Sequence, residues 1–286
     1  MANSTTTSLA SLISPIVQEA LFVASERSIM RGLVKNFDVA NNTGKIAQVP
    51  IYPTATAQDL TEGTDMAGTS ADQTITTTTK NITLAEVGIM TVLTDMIRDT
   101  SEQNVIAHLG KIFGESVARK QDTDLVNLFS GFSTESGGGA GQELTVAQLF
   151  KAFAELQESN APGPYYGVFH PKAIYNVKSQ LTNTFAGGTN FAPPETANAA
   201  MRNGFVGTIA GIQIFESSNI SIDTDGDAIG AVFSPEALGI AMQNDMNMEM
   251  QRNASLRAEE VVMTSRYGVS ELIDEYGVKL TSDATI

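Results

Sequence analysis

The sequence predicts an α+β fold, on three observations. Between residues 53 and 79 lie ten threonines and four acids with no basic residue, flanked by strand-like runs at 44–52 and 80–93. Residues 101–129 carry a helical period. Beyond residue 143, short helical and strand patterns alternate and then give way to long stretches of period two.

The Thr-rich stretch has only Leu60, Met66 and Ile75 as sizeable apolar side chains, so it cannot bury itself. Its flanks predict a long hairpin that projects from a globular body. Such an arm needs a surface outside its own domain to lie on.

Ahead of it, Ser14-Pro15 followed by Ile16, Ala20, Val23 and Ala24 predicts a capped helix over 15–30 with proline at its first position. Strands are expected at 35–39 and 45–51, around an Asn41-Asn42-Thr43-Gly44 turn that carries the residues hairpin turns favour. Past the arm, residues 81–93 alternate imperfectly through Ile82, Leu84 and Val87, which predicts one buried side. Val105, Leu109, Ile112, Phe113 and Val117 then recur at three and four residues, and Phe129 ends the run before Gly131. Gly110 and Gly114 within this helix are read either as points of close approach or as tolerated in a well-packed helix.

Residues 136–141 are the clearest linker and place a domain boundary. Thr145 with Gln148 predicts a capping box opening an amphipathic helix through Leu149, Phe153 and Leu156. A strand at 165–169 and a helix opened by Pro171 follow, the order of a mixed sheet covered by helices. Residues 182–203 read as a surface loop. Ala210-Gly211 predicts a tight hairpin, 228–233 a strand, and Ser234-Pro235-Glu236-Ala237 a cap with one helical turn. Met246, Met248 and Met250, then Val261 and Met263, then Val278 and Leu280, have the spacing of buried strand faces.

The chain has 286 residues with 42% apolar composition, enough for a real core. Its 17 basic residues against 32 acids give a net charge of −15, which disfavours attractive grip on phosphate backbones. A nucleic acid could be enclosed but hardly held. The absence of cysteine removes disulfides and thiolate chemistry. No apolar run approaches membrane length and no basic signal-peptide region opens the chain, so a soluble, unexported protein is expected.

No motif assembles a nucleophile, a base and an oxyanion site. His108 and His170 lack ligand spacing; His108 is read as helix filler and His170 as a helix-start residue. Asp223-Thr224-Asp225-Gly226-Asp227 departs from a calcium loop, which needs glycine sixth and glutamate twelfth, and reads as an acidic turn. The glycine run lacks the Gly-Lys-Ser/Thr ending of a phosphate loop. The adjacent acids Glu259-Glu260 and Asp274-Glu275 are read as solvated, pointing to opposite strand faces. No cofactor, metal or catalytic residue is expected. A hydrolase built on His170, Asp223, Asp225 and Asp227 lacks the required spacings.

The order of parts, with Phe169-His170-Pro171, Gly207-Thr208-Ile209-Ala210-Gly211-Ile212, Ser234-Pro235-Glu236-Ala237-Leu238 and Tyr267-Gly268, resembles the major capsid proteins of tailed bacteriophages. The resemblance spans essentially the whole chain and implies the Hong Kong 97 capsid fold. It implies an N-terminal arm at 1–34 and a peripheral domain at 35–142 containing an extended loop (50–82) and a spine helix (94–131). An axial domain at 143–240 and return strands of the peripheral domain at 241–286 complete it.

It also implies a structural, non-enzymatic protein that self-assembles as hexamers and pentamers into an icosahedral shell around double-stranded DNA. The shell would be a virion capsid assembled in the host cytoplasm. Portal, scaffold or decoration proteins would be partners, a membrane would not, and DNA would be enclosed without sequence-specific binding. An encapsulin, a cellular compartment of related fold, is the alternative. Some members cross-link through a loop lysine, but 53–79 contains none, with Lys80 at its base. The resemblance includes members with a cleaved scaffolding segment; this chain starts almost directly with the arm, so either a separate scaffold or a removed segment is expected, and Met1 argues against removal. Asp59, Glu62, Asp65, Asp72, Thr76 and Thr78 are the expected inter-subunit contacts.

Overall fold

The computed structural model describes residues 28–40, 44–52, 55–67, 73–96, 104–183 and 207–285, with backbone alone at 104–107 and 180–183. The expected helix at 15–30 lies outside these residues except for its end, where Met30–Gly32 form a single 3-10 turn. The expected loop at 182–203 lies almost wholly outside them.

Two long strands organise one half of the molecule. β10 (Leu238–Asn253) and β11 (Ala258–Glu271) pair antiparallel from Leu238↔Glu271 to Asn253↔Ala258. β1 (Lys35–Asp38) adds in parallel to β10, and β4 (Ala85–Thr94) adds antiparallel to β11, giving the order β1-β10-β11-β4. The methionine spacing is realised: Met248 and Met263 are buried, with Met246 and Met250 partly covered, against Phe113.

β1 does not form a hairpin with the strand that follows it. Phe37 packs over Gly239, where an added Cβ would meet its ring at 3.1 Å, and Val39 donates to the Met242 carbonyl at 2.8 Å. Burying that ring on β10 outweighs the local turn preference of Asn41 to Gly44. β2 (Ile46–Ile51) pairs instead with β3 (Thr78–Thr83), from Ile46↔Thr83 to Ile51↔Thr78, as the base of the arm.

The return limb is split at Leu84. β3 belongs to the two-stranded sheet and β4 to the four-stranded one, and the Leu84 N–H donates to Lys45 at 2.8 Å. Ile82 and Leu84 are buried with Ala241 and Leu272. Gly268 of β11 is required here, because a Cβ would sit 2.3 Å from the Thr83 carbonyl oxygen.

Helix α1 (Asn104–Asn127) runs across the inner face of the four-stranded sheet, and its chain then tightens into a 3-10 turn at Leu128–Gly131. Phe113, Val117, Leu125 and Phe129 form its buried stripe, and Gly110 and Gly114 are buried as well. The Phe129 ring lies 5.6 Å from Phe233 and 6.4 Å from Phe132, joining the helix to the second half of the molecule.

That half is a six-stranded mixed sheet of order β5-β12-β9-β6-β8-β7. Its strands are β5 (Thr134–Glu135), β6 (Tyr165–Phe169), β7 (Thr208–Ile209), β8 (Ile212–Glu216), β9 (Asp227–Phe233) and β12 (Gly277–Asp283). α2 (Val146–Glu158) and α3 (Pro171–Asn183) cover it through Leu149, Leu156, Ile174 and Val177. The capping box is complete: the Thr145 hydroxyl accepts from Gln148 N, and the Gln148 carboxamide oxygen accepts from Thr145 N at 2.9 Å. Ala210 (φ 53°) and Gly211 (φ 81°) make the expected hairpin between β7 and β8. Residues 234–237 form a hydrogen-bonded turn, Ala237 N to Ser234 O at 2.9 Å, rather than a helical one. β12, expected among the return strands, lies in this second sheet beside β9.

The start of the glycine run is packed, while Gly138, Ala140 and Gly141 are exposed. Ser136 N bonds the Lys279 carbonyl at 3.1 Å, and a Cβ on Gly137 would meet Thr281 backbone atoms at 2.8 Å. Gly137 lets the chain lie against β12.

Asp122 of α1, with no exposed surface, holds the start of the described chain. Its carboxylate accepts from Ser28 Oγ at 2.9 Å, Ile29 N at 3.1 Å and Met30 N at 3.2 Å. Burial raises its pKa above the usual carboxylate value, against the lowering by Ile29, Ser28, Met30 and Asn219. Asp122→Ala should destabilise the unassembled chain by about 1–3 kcal/mol in urea unfolding, since buried donors lose their acceptor. Because the folded chain binds this proton more tightly than the unfolded one, lowering the pH from neutral through the raised pKa should increase wild-type stability relative to Asp122→Asn.

Candidate assembly surface

The arm is anchored firmly and supported weakly. On β2, Ala47, Val49 and Ile51 turn inward onto the cluster of Ile82, Leu84, Ala241 and Leu272, while Ile46 and Tyr52 are exposed. Beyond residue 52 the described arm has no strand or helix. Gly63 takes a positive φ of 79° at the turn closed by Thr64 N to Thr61 O at 3.2 Å. One clip crosses between the limbs: the Gln73 carboxamide accepts from Thr56 N at 3.1 Å and donates to Thr56 O at 2.6 Å. Leu60, Met66 and Ile75 are 61%, 51% and 58% exposed, so the arm has almost no core of its own.

The expected contact residues fall unevenly along it. Asp59, Glu62 and Thr76 are exposed in irregular chain. Asp65 is exposed too, and its carboxylate accepts from Ala67 N at 3.1 Å. Thr78 already pairs with Ile51 at the base of the hairpin. Asp72 lies outside the described residues.

Sequence reasoning missed two further surfaces. The first is the outer face of β4, where Met90 and Val92 are 59% and 41% exposed beside Val262 and Glu260 of β11. β4 is also an edge strand, and unpaired edges invite another chain. The signal was present in 89–93, which is apolar on both strand faces. The second is the outward row of α1, with His108, Lys111, Ile112 and Arg119 all exposed.

The remaining chemistry-bearing residues have structural duties. His108 is exposed on α1, whereas His170 Nδ1 accepts the Lys172 N–H at 3.2 Å and so caps α3. Burial, then the Lys172 charge, lowers the His170 pKa. Asp223 Oδ1 accepts from the backbone of Asp225 at 2.9 Å and Asp227 at 2.8 Å, and Asp227 Oδ1 accepts from Gly141 N at 2.8 Å. These carboxylates close an acidic turn. Asp274 and Glu275 sit in a 3-10 turn rather than a strand, and Asp274 accepts from Ser133 N at 2.8 Å. Burial, then Asp124, pushes the Tyr267 pKa up, and its hydroxyl donates to Asp124 at 2.8 Å, tying β11 to α1. Among the described residues no cluster of three or more His, Asp or Glu is placed to hold a metal ion, and no helix is long and apolar enough to cross a membrane.

A family model for phage capsid proteins matches residues 76–279, from the base of the arm to β12. The chain belongs to the phage capsid protein family. No curated protein sequence matches that of this capsid protein. Its fold matches the capsid of Cyanophage P-SCSP1u at 19% identity and a TM-score of 0.66, covering 90% of this chain and 89% of that one. The capsid of Ralstonia phage GP4 matches at 11% identity and a TM-score of 0.70, covering 89% and 88%. The holo-SrpI encapsulin complex from Synechococcus elongatus matches at 13% identity and a TM-score of 0.63, covering 91% and 89%. This is the Hong Kong 97 capsid fold.

The Gln73 clip offers a direct check on the arm of this capsid protein. Gln73→Ala should speed amide exchange at Thr56 while leaving the global unfolding midpoint unchanged, because an exposed hydrogen bond contributes only about 0.5–1.5 kcal/mol locally.

Proposed function

We propose that many copies of this chain assemble, as hexamers and pentamers, into an icosahedral shell that encloses double-stranded DNA in a virion. The observation that carries this reading is the arm: a hairpin rooted in the core whose outer part exposes Leu60, Met66 and Ile75 to water within its own chain. Another copy supplies the missing surface. Membership in a phage capsid protein family supports the same reading.

Within the shell, the four-stranded sheet and α1 form the peripheral domain and the six-stranded sheet with α2 and α3 the axial one. The role is structural rather than enzymatic. The net charge of −15 suits a container that must not hold DNA tightly during filling. Assembly takes place in the host cytoplasm with portal, scaffold or decoration proteins. The absence of lysine from 53–79 supports non-covalent contacts through Asp59, Glu62, Asp65, Asp72, Thr76 and Thr78.

The likeness to an encapsulin supports a second reading, a cellular compartment around a cargo enzyme. Particle contents separate the two: nuclease-resistant DNA favours the virion and a packaged enzyme the compartment. Deleting residues 54–78 should leave a folded chain, by circular dichroism and thermal unfolding, that forms no shells under electron microscopy. Normal shells from the deletion variant would refute the role given to the arm.

A further inference from the structure

We propose that Glu271 is an acid-sensitive clasp at the root of the arm: ionised, it attracts Lys80 and steadies the hairpin that carries the arm, and protonated, it releases Lys80 and ceases to repel Asp274. The device operates within a single chain, so it goes beyond the shell reading and can be tested without it.

The backbone brings the three groups together. β3 crosses β11 where the Thr83 carbonyl lies against Gly268, and Lys80 and Glu271 each lie three positions from that crossing. Ile82 and Leu272 are buried in one cluster, which places the two stretches side by side. Lys80 is two positions from Ile82 and half-buried, while Thr79 and Asn81 are exposed, so it shares the inward face of β3. Glu271, next to Leu272, is half-buried at the end of β11. Its Oε2 comes within 2.9 Å of the place a Cβ on Gly131 would take, at the exit of α1. Two residues further on, Ser133 N donates to the Asp274 carboxylate at 2.8 Å. The root of the arm, the exit of α1 and the turn before β12 thus meet around one carboxylate.

That carboxylate is poorly compensated. Neither it nor the Lys80 ammonium forms a hydrogen bond or ion pair among the described residues, so the two attract across more than contact distance. Burial first and then the Asp274 charge raise the Glu271 pKa, and Lys80 offsets them only in part. Its other neighbours, Leu238 across the ladder and Gly131, carry no charge. A proton on Glu271 removes the repulsion from Asp274 and, with it, the pull on Lys80. Because the folded chain holds this proton more tightly than the unfolded one, the contribution of Glu271 to stability grows as pH falls from neutral. Acid therefore stabilises the body through this group while it loosens the arm, two effects of opposite sign from one side chain.

The opposition of the two effects is the test. In the unassembled wild-type chain, amide protection at 46–51 and 78–83, corrected for the intrinsic pH dependence of exchange, should fall roughly twofold to fivefold between about pH 7 and about pH 5. Glu271→Gln fixes the neutral form, so its arm protection should already be low at neutral pH and stay there. Its urea midpoint should nevertheless exceed that of wild type at neutral pH, with the gap closing as acid is added. Lys80→Met separates the two limbs: arm protection should lose its pH dependence, while the gain in body stability on acidification, measured against the Lys80→Met, Glu271→Gln double variant, should persist. Wild-type arm protection that does not change with pH, or a pH dependence retained in Glu271→Gln or Lys80→Met, would overturn the clasp. So would a urea midpoint of Glu271→Gln below that of wild type at neutral pH. Shell formation by the wild-type chain is a separate measurement, and its failure would overturn the shell reading alone.

Discussion

The antiparallel ladder between β10 and β11 is the constraint on which the other parts depend. Its Leu238 end is buried with β1 and the main core, and its far end carries Met248 and Met263 onto Phe113. β1 and β4 take their places from its two edges, and α1 from its inner face. A one-residue slip of register would turn the methionine row to solvent and leave Phe113 without cover. Gly268 adds a second demand, since the hairpin that carries the arm crosses β11 where only a missing side chain leaves room.

From this frame the molecule divides its burial unevenly. The two larger sheets and the described helices close apolar clusters around Phe129, Phe169 and Phe233, whereas the arm, the outer face of β4 and the outward row of α1 leave large apolar side chains in water. A self-sufficient monomer gains nothing from Leu60 or Met90 exposed to solvent. Surfaces of this kind acquire cover on association, and the small free-energy gain at each contact is multiplied around a closed shell.

Local signals carried much of the fold. The capping box at Thr145 and Gln148, the Ala210-Gly211 hairpin, the Met248 and Met263 alternation and the helical period through Phe113 and Phe129 each rest on short-range physics visible in the residues themselves. The failures share a cause. Asn41 to Gly44 look like a hairpin turn, yet Phe37 takes β1 to Gly239, far away in sequence. Within the glycine run, Gly137 is small because Thr281, far away in sequence, lies against it. The candidate assembly surface was legible as an arm short of apolar residues, while Ile112 and Met90 read as core because periodicity cannot tell which apolar positions stay uncovered.

By itself, then, the sequence determined that this protein has an α+β body, a projecting arm that cannot bury itself, a strongly acidic charge and no local catalytic motif, because composition and short-range periodicity suffice for each. Tertiary structure alone decided that β1 pairs with β10, that the return limb changes sheet at Leu84, that β12 joins the second sheet, and that Ile112 and Met90 stay exposed. Those outcomes depend on contacts between residues far apart in the chain, where packing overrides local preference.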